Sequence, residues 1–207
     1  MKHAKAAAAV STRAPQPARR AGAQTHEVRI IGGQWKRTRL AVADRPGLRP
    51  TPDRVRETLF NWLGQDLTGW RCVDAFAGTG ALGFEAASRG AQEVRLVEHD
   101  SALVVQLKRI QTQLQASAVY IVRGDGLAAL RQLDPASMDA VFIDPPFDSE
   151  LFEAALQAGA RVVAPGGFVY LEAPVRWTDP QLEQAGLKLH RHLKAGTVHA
   201  HLLQRAG

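Results

Sequence analysis

The sequence predicts an α/β fold, with a mostly parallel β-sheet covered by helices on both faces. From Arg71 onward, short apolar runs that each end in Asp, Glu, Gly or Pro alternate with segments of helical periodicity. Strands that are apolar throughout and separated by helices belong to parallel sheets buried on both faces. Residues 187 to 206 instead alternate about Ala195 and Gly196, which predicts a closing antiparallel hairpin.

Each element of this fold corresponds to a recognisable segment. Five strands are predicted in RCVDAFAG, EVRLVEHD, AVYIVRGD, MDAVFIDPPF and FVYLEAP. Four helices are predicted between them in ALGFEAASRG, SALVVQLKRIQTQLQ, GLAALRQL and SELFEAALQAGARVV. Upstream, VRIIGG and TRLAVA predict a small hairpin, and a helix follows that Thr51 or Pro52 starts and Gly64 ends.

Basic residues are concentrated in the first quarter of the chain. Residues 1–56 hold thirteen Lys and Arg against three acids, and subtraction from the 26 bases and 20 acids of all 207 residues leaves thirteen against seventeen. Such asymmetry is typical of a segment that docks on a polyanion, although a solvated tail is the simpler interpretation of residues 1–25. We expect a disordered basic tail over residues 1–26, a hairpin and helix that dock on the polyanion over 27–64, and the main α/β domain over 65–207.

The cysteine count and the N-terminal composition indicate a cytoplasmic protein. Cys72 is the single cysteine, so this sequence holds neither a disulfide framework nor a thiolate metal site. Residues 6–10 form an apolar stretch of only five residues, too short for a signal-peptide core or a membrane span. The acid-poor N-terminus leaves a transit peptide open, and we expect no membrane association.

A glycine-rich loop follows the first strand of the predicted sheet. The chain reads Asp74-Ala-Phe-Ala-Gly78-Thr-Gly80-Ala-Leu-Gly83 and passes directly into a helix, whose free N–H groups suit a ligand. Glu98 lies twenty residues after Gly78, where an acid that binds a ribose is expected. This pattern alone does not separate NAD from S-adenosylmethionine.

Two acids favour the methyl donor. We expect Asp74, at the end of the strand, to face a ligand's ammonium group, whereas it would repel a pyrophosphate. Asp125, after the third strand, is placed to accept a hydrogen bond from an adenine amino group. The alternative for Asp74, Glu98 and Asp125 is that each caps the helix that it precedes. The remaining residues expected around the cofactor are Phe76, Thr79 and Gly126.

The fourth strand ends in Asp144-Pro145-Pro146-Phe147. Two prolines restrict the chain, so the acid before them and the aromatic after them are held rigidly at the sheet edge. Hydrogen bonds from an arylamine to the Asp144 carboxylate and the Pro145 carbonyl would aim the nitrogen's lone pair at a methyl group, with Phe147 stacked on the base. Such catalysis is positioning and polarisation, so we expect no metal, and His190, His192, His199 and His201 alternate as strand residues do.

These segments together resemble the bacterial RsmD family of 16S rRNA guanine-N2 methyltransferases. The similarity rests on VRIIGGQWKRTRLAV, GLRPTPDRVRETLFNWL, DAFAGTGALGFEAASRGA and VFIDPPF, and covers residues 27–205. It implies a class I S-adenosylmethionine-dependent (Rossmann-like) fold with seven strands, and methylation of guanine 966 of 16S rRNA on N2. It also implies that the acids and glycines above hold the cofactor, that Arg49 and Thr51 cover its methionine end, and that residues 144–147 hold a flipped guanine. The residues expected to bind RNA are Arg29, Trp35, Lys36, Arg37, Arg39 and Arg54.

Other functions remain open at this point. An acid, two prolines and an aromatic would also serve adenine N6 of DNA or RNA, or a glutamine amide, although the basic N-terminal segment disfavours a protein acceptor. A non-catalytic RNA-binding assembly factor is the alternative outside enzymes. We expect the partner to be the small ribosomal subunit or its assembly intermediate, and the protein to act as a monomer.

Overall fold

The computed structural model describes residues 26–42, 51–147 and 149–205, and it has an α/β architecture. The elements are β1 (His26–Arg29), β2 (Arg39–Val42), α1 (Asp53–Leu63), β3 (Arg71–Asp74), α2 (Ala81–Ser88), β4 (Glu93–Glu98), α3 (Ser101–Leu114), β5 (Val119–Arg123), α4 (Gly126–Gln132), β6 (Met138–Ile143), α5 (Phe152–Val162), β7 (Val163–Ala173), α6 (Asp179–Gln184), β8 (Leu187–Ala195) and β9 (Val198–Arg205). Of the predicted basic tail, only its last residue, His26, lies within the described residues, as the first residue of β1.

Seven strands form the main sheet in the order β5-β4-β3-β6-β7-β9-β8. Neighbouring strands from β5 to β7 are parallel, and β9 is antiparallel to both β7 and β8. The order reverses between β3 and β6, which is where ligands bind in open α/β sheets. The predicted parallel sheet with an antiparallel C-terminal hairpin is therefore confirmed.

Helices cover both faces of this sheet, as the uniformly apolar strands predict. On one face Phe60 of α1, Phe84 of α2 and Leu107 of α3 share a buried cluster with Phe142 of β6. On the other face the helices contribute Leu130, Leu156 and Leu182 to a second cluster. Adjacent residues of β6, Val141 and Phe142, belong to opposite clusters because successive strand side chains alternate between faces.

The N-terminal hairpin shares its core with the main sheet. β1 and β2 pair antiparallel, with Val28 opposite Leu40. Ile30 and Leu40 are buried in the same cluster as Phe60 of α1. That helix starts after Pro52 and ends at Gly64, whose φ of 100° only glycine adopts readily, as the sequence predicts. The expected docking segment and catalytic domain therefore form one packed unit.

A buried ionic network fastens the hairpin to helices α1 and α2. The Glu85 carboxylate accepts hydrogen bonds from the backbone N–H groups of Ile31 and Gly32, both at 2.8 Å. It also pairs with the guanidinium groups of Arg56 at 3.4 Å and Arg89 at 2.8 Å. Because a buried charge is costly unless it is paired, this network fixes where the hairpin can sit.

Two elements differ from the sequence prediction. Helix α6 is absent from the prediction because six residues are too few to show helical periodicity. It begins with a capping box, in which the side chain of Thr178 accepts from the backbone N–H of Gln181 and the side chain of Gln181 accepts from the backbone N–H of Thr178. Strand β7 begins at Val163, where the sequence indicates the end of a helix. Within the described residues, no helix combines the length and the apolar character needed to cross a bilayer.

Candidate active site

The glycine loop and the Asp-Pro-Pro-Phe segment open onto the same edge of the sheet. Strands β3 and β6 are parallel neighbours in which Asp74 lies opposite Phe142. The N–H of Ala75 donates to the Phe142 carbonyl oxygen at 3.0 Å, so the chains stay together beyond the strand ends. Asp144 follows two residues after Phe142, which places it beside the loop that Asp74 begins.

The three glycines of the loop have different structural roles. Gly78 and Gly80 have φ values of 50° and 76°, in the left-handed region that favours glycine. Gly83 lies in α2 against β4, where an added Cβ would stand 2.0 Å from the Leu96 side chain. The glycines therefore permit a tight turn and a close approach of helix to sheet, as in nucleotide-binding loops. Thr79 is buried between them, and Phe76 is half-buried before them.

Asp74 is buried under the start of helix α2. Its Oδ2 accepts a hydrogen bond from the N–H of Gly83 at 3.1 Å, and the carboxylate also accepts one from the Phe76 backbone. Burial raises the pKa of Asp74 to about 7, against the lowering effect of the Gly83 hydrogen bond and with a further increase from nearby Glu98. Asp74 therefore caps α2 and is also poised to gain charge when a cation binds.

Glu98 holds the glycine loop against the end of β4. Its Oε2 accepts a hydrogen bond from the Gly78 N–H at 2.8 Å, and its Oε1 accepts one from the Asp100 N–H at 2.8 Å. The predicted ribose-binding acid thus lies next to the loop. Asp125, at the end of β5, is the N-cap of α4 and accepts from the Ala128 N–H at 2.7 Å. A carboxylate has several acceptor positions, so these caps leave room for a ligand.

The N-terminus of α4 is in close contact with the glycine loop. An added Cβ at Gly126 would stand 2.0 Å from the carbonyl oxygen of Ala75. Glycine at position 126 therefore lets the segment after β5 lie directly against the loop after β3. This contact brings Asp125 to the same edge as Asp74 and Glu98.

The Asp-Pro-Pro-Phe segment is a fixed turn with one exposed ring. Ser149 donates from its N–H and its hydroxyl to the Pro146 carbonyl oxygen, at 3.0 and 2.6 Å. Pro145 is buried, whereas 39% of Phe147 is exposed. The Phe147 ring centroid lies 6.4 Å from that of Phe152 on α5, so the ring has support on one side. The turn therefore presents an aromatic surface next to Asp144.

Glu172 is a site residue that the sequence analysis does not identify. It is buried near the end of β7, where its Oε1 accepts a hydrogen bond from the Tyr170 hydroxyl at 2.8 Å and the carboxyl also binds the Thr51 side chain. Burial raises the pKa of Glu172, and these two hydrogen bonds lower it. The available signal is an acid at the end of an apolar strand, in FVYLEAP.

Three of the carboxyl groups at this edge, those of Asp74, Asp144 and Glu172, affect one another's pKa values. Burial, then the charge of Glu172 and then that of Asp74 raise the pKa of Asp144 well above its ordinary value. Although part of the residue reaches solvent, the Asp144 carboxyl group is buried, and it follows β6, which lies between the strands of Asp74 and Glu172. Perturbed acids gathered at a sheet edge are typical of functional sites. Through its bond to Glu172, Thr51 places the start of α1 at the site; Arg49, predicted beside it, lies outside the described residues.

The residues predicted to bind RNA lie at two different distances from this edge of the sheet. Arg54 is exposed in the first turn of α1, after Thr51. Trp35, Lys36 and Arg37 belong instead to the hairpin turn at the far end of α2, where the Trp35 N–H donates to Ser88 Oγ at 3.0 Å. Because the eight residues of α2 span roughly 12 Å, the hairpin turn lies about that far from the glycine loop. The Trp35 ring is partly buried against the core, the packing role that an aromatic in a hairpin often has.

Two of the predicted RNA-binding arginines are already paired with acids. Arg29 lies 3.2 Å from the Asp53 carboxylate, and Arg39 lies 3.0 Å from that of Glu27. All four side chains are substantially exposed, so each pair contributes little to stability.

Known proteins resemble this chain over nearly its whole described length. The family profile described as "Conserved hypothetical protein 95" matches residues 28–204. Ribosomal RNA small subunit methyltransferase D of Escherichia coli (strain K12) is 41% identical over 181 residues, which cover 86% of this chain and 90% of that protein. The protein of the same name from Haemophilus influenzae is 38% identical over 178 residues, which cover 80% of this chain and 92% of that protein.

Solved structures agree with the sequence relatives. The putative methyltransferase yhhF from Escherichia coli matches with a TM-score of 0.76 and 40% identity, covering 88% of this chain and 99% of that one. These relatives match the chain over most of the fold, which includes the glycine loop and the strands around it. The chain therefore belongs to the conserved hypothetical protein 95 family, the RsmD family that its motifs resemble, and has the fold of a class I methyltransferase.

Proposed function

We propose that this protein transfers a methyl group from S-adenosylmethionine to the exocyclic N2 amine of a guanine in 16S rRNA, guanine 966 in the family's numbering. The observation that carries the proposal is that Asp144-Pro145-Pro146-Phe147 and the acid-lined glycine loop open onto one sheet edge. The names of the relatives, rRNA small subunit methyltransferases, support the substrate class.

The acids at this edge fit S-adenosylmethionine better than a dinucleotide. Asp74, Glu98 and Asp125 stand at the ends of three strands that are neighbours in the sheet. A sulfonium cation with an ammonium group and a ribose diol is complementary to carboxylates, whereas a pyrophosphate would be repelled. Asp74 would face the ammonium group, Glu98 the ribose hydroxyls and Asp125 the adenine amino group. When bound, this cofactor supplies an electrophilic methyl group.

The protein's own groups would prepare the acceptor. An exocyclic amine is a poor nucleophile because its lone pair is delocalised into the ring. Hydrogen bonds from its two protons to the Asp144 carboxylate and the Pro145 carbonyl oxygen would turn the lone pair towards the methyl group, and Phe147 would hold the base by stacking. As the nitrogen gains its methyl group it must lose a proton, and the raised pKa of Asp144 favours accepting that proton.

Mapping the modified nucleotide tests this proposal. Small subunits from a strain that lacks this gene are incubated with the protein and methyl-labelled S-adenosylmethionine. The rRNA is then analysed as ribonuclease fragments, which locate the label, and as nucleosides, which identify the modified base. We expect the label in N2-methylguanosine at a single position, and none with the Asp144→Ala variant. Label in N6-methyladenosine would contradict the proposed acceptor. Binding of the labelled donor without transfer to any subunit preparation would indicate the assembly factor instead.

A further inference from the structure

A group of two cationic side chains and three histidines lies at the end of the sheet that carries the catalytic edge, on the C-terminal hairpin and the segment before α6. We call Arg176, His192, Lys194, His199 and His201 the hairpin cluster. In the sheet, His201 lies opposite Leu171 and His199 lies opposite Ala173, on either side of the position that pairs with Glu172. The hairpin cluster therefore lies at the same end of the sheet as the acids that surround Asp144. Its histidine rings project from the opposite face to Glu172, because successive strand residues alternate between faces.

The buried member of the cluster acts as a scaffold for the others. His201 is fully buried; its Nε2 accepts from the Trp177 N–H at 3.1 Å, and its Nδ1 lies 3.3 Å from the Leu171 carbonyl oxygen. With its proton on Nδ1, the neutral ring satisfies both contacts. Burial lowers the pKa of His201 to about 4, so the ring stays neutral near pH 7.

The other two rings are stacked on this scaffold and reach the surface. The ring centroids of His192 and His201 are 4.9 Å apart, and those of His192 and His199 are 5.2 Å apart. His192 Nε2 and His199 Nδ1 lie within hydrogen-bond distance, at 3.0 Å. Both rings are partly exposed. The stack is thus a preformed, polar surface rather than a set of separate flexible side chains.

The charged side chains that act on the two exposed rings are cationic. Burial lowers the pKa values of His192 and His199, and the charges of Arg176 and, for His199, Lys194 lower them further. Arg176 and Lys194 are exposed, and neither forms an ion pair with any carboxylate in the described parts of the chain. Arg29, Arg39 and Arg71 each have an acidic partner. The hairpin cluster is therefore uncompensated, which makes it complementary to an anion.

We propose that the hairpin cluster binds backbone phosphates of the RNA strand next to the methylated nucleotide. The inference rests on the proposed function and names a second RNA contact surface, on the β9-β8 side of the catalytic edge. A base can enter a pocket at this edge only if it leaves its stack, and contacts to the neighbouring phosphates hold the strand in that register. Arg176 and Lys194 supply the charge, and one N–H of the neutral His192–His199 pair is left to donate to a phosphate, because the other is used in the hydrogen bond between the two rings.

The test compares two double variants with the same change of charge. Arg176→Ala with Lys194→Ala removes the exposed cations of the cluster. Arg109→Ala with Lys188→Ala is the matched control, because both residues are exposed, Arg109 lies on α3, and Lys188 lies six residues before Lys194 on β8. Six strand residues span roughly 20 Å. All four substituted side chains are exposed, and circular dichroism and the melting temperature verify that both variants fold.

The readouts are binding to unmethylated small subunits as a function of salt, and steady-state methyl transfer. For the cluster variant we expect KM for subunits to rise about tenfold, kcat and the Kd for S-adenosylmethionine to stay unchanged, and the slope of log K against log salt to fall by about 1 to 2. The control variant should behave like the unmodified protein. Equal KM and salt slope in all three proteins would overturn the inference, as would an equal loss in the control.

Further outcomes separate this inference from the proposed function. If the unmodified protein binds subunits but transfers no methyl group, the proposed function is wrong, whereas the salt slopes still report whether the cluster binds RNA. Poly-L-glutamate is the probe for an acidic protein partner. If the cluster variant loses binding to poly-L-glutamate and keeps its binding to subunits, the partner is a protein and the inference is wrong.

Discussion

Asp144 is the residue on which methyl transfer depends most directly in this account. It follows β6, stands before a turn fixed by two prolines and by Ser149, and has Glu172 and Asp74 as electrostatic neighbours. Its carboxylate would accept a hydrogen bond from the substrate amine. Its interaction with Asp74, where the cofactor loop begins, is electrostatic. Its role in the chemistry can therefore be separated from cofactor binding.

The first prediction concerns the substitution Asp144→Asn. The amide keeps the shape of the side chain but has half the acceptor capacity and no charge, so kcat should fall by about 100-fold or more. The Kd for S-adenosylmethionine, measured by calorimetry, should change less than about twofold. Asp134→Asn, at an exposed position outside the site, is the control. A parallel loss of cofactor binding in Asp144→Asn would show that the residue supports the loop rather than the acceptor.

A second prediction follows from the raised pKa of Asp144. The group works as a carboxylate, so kcat should fall as the pH drops through a pKa that lies above the ordinary value of 3.8. Glu172→Gln keeps an acceptor for Tyr170 and Thr51 but removes one negative neighbour. The pH–rate profile of that variant should therefore shift to lower pH. An unshifted profile would mean that the charge of Glu172 does not reach Asp144.

Asp74 gives a third prediction, about cofactor binding. Its pKa of about 7 means that roughly half of the ligand-free protein carries a protonated Asp74 at neutral pH. A cation binds better to the carboxylate, so binding should tighten as the pH rises through 7, by at most tenfold for each pH unit below it. Calorimetry in buffers of different ionisation enthalpy should detect the released proton. Asp74→Asn should abolish this proton release.

The residues of the site differ in how visible they are in the sequence. Asp74, Glu98, Asp125 and Asp144 are recognisable because each follows an apolar strand and lies near glycine or proline. Glu172 is harder to recognise, since it is buried within a strand and only the sheet order places it beside Asp144. The pairing of Arg29 with Asp53 is likewise a tertiary contact that charge counting does not reveal.

At the scale of elements, the packing of α2 against the sheet positions the cofactor loop. Helix α2 is buried on all sides, between the hairpin, α1 and the sheet. Gly83 permits its close approach to β4, and Glu85 fastens it to the hairpin. The N-terminus of α2, where the loop ends, is thereby held from both sides.

Gly83→Ala is the fourth prediction. The new Cβ would stand 2.0 Å from Cδ2 of the buried Leu96, so that side chain or α2 must shift, and overpacking of this kind costs about 1 to 3 kcal/mol of unfolding free energy. Urea denaturation measures this loss, and cofactor affinity should fall with it. Gly124→Ala is the control, because an added Cβ there has no atom within 4 Å. Equal stability of the two variants would contradict this packing role of Gly83.

The order of elements is largely readable from the sequence, whereas contacts between them are not. Periodicity and glycine or proline boundaries identify α1, the parallel strands and the closing hairpin. Helix α6 escapes this reasoning because it is short, and its formation depends on a capping box. The junction of α5 and β7 escapes it because Val162 and Val163 are apolar in either structure.

At the scale of the whole molecule, the positive charge is arranged around a mildly acidic catalytic edge. The sequence indicates a polyanion partner from the basic N-terminal quarter. In the fold, Trp35, Lys36 and Arg37 lie at the far end of α2, while Arg54 and the hairpin cluster lie closer to the catalytic edge. Linear charge distribution cannot distinguish these positions, because they depend on how the hairpin docks and on how β8 and β9 join the sheet.

The most direct test of the central claim is a crystal structure of the protein with S-adenosylhomocysteine bound. We expect the ribose to lie at Glu98, the adenine to lie beside Asp125, and the sulfur to face the opening between Asp144 and Phe147. A methyl group attached to that sulfur should come within about 3.5 Å of an amine that is hydrogen-bonded to Asp144. A product molecule bound elsewhere, or with its sulfur directed away from Asp144, would contradict the account.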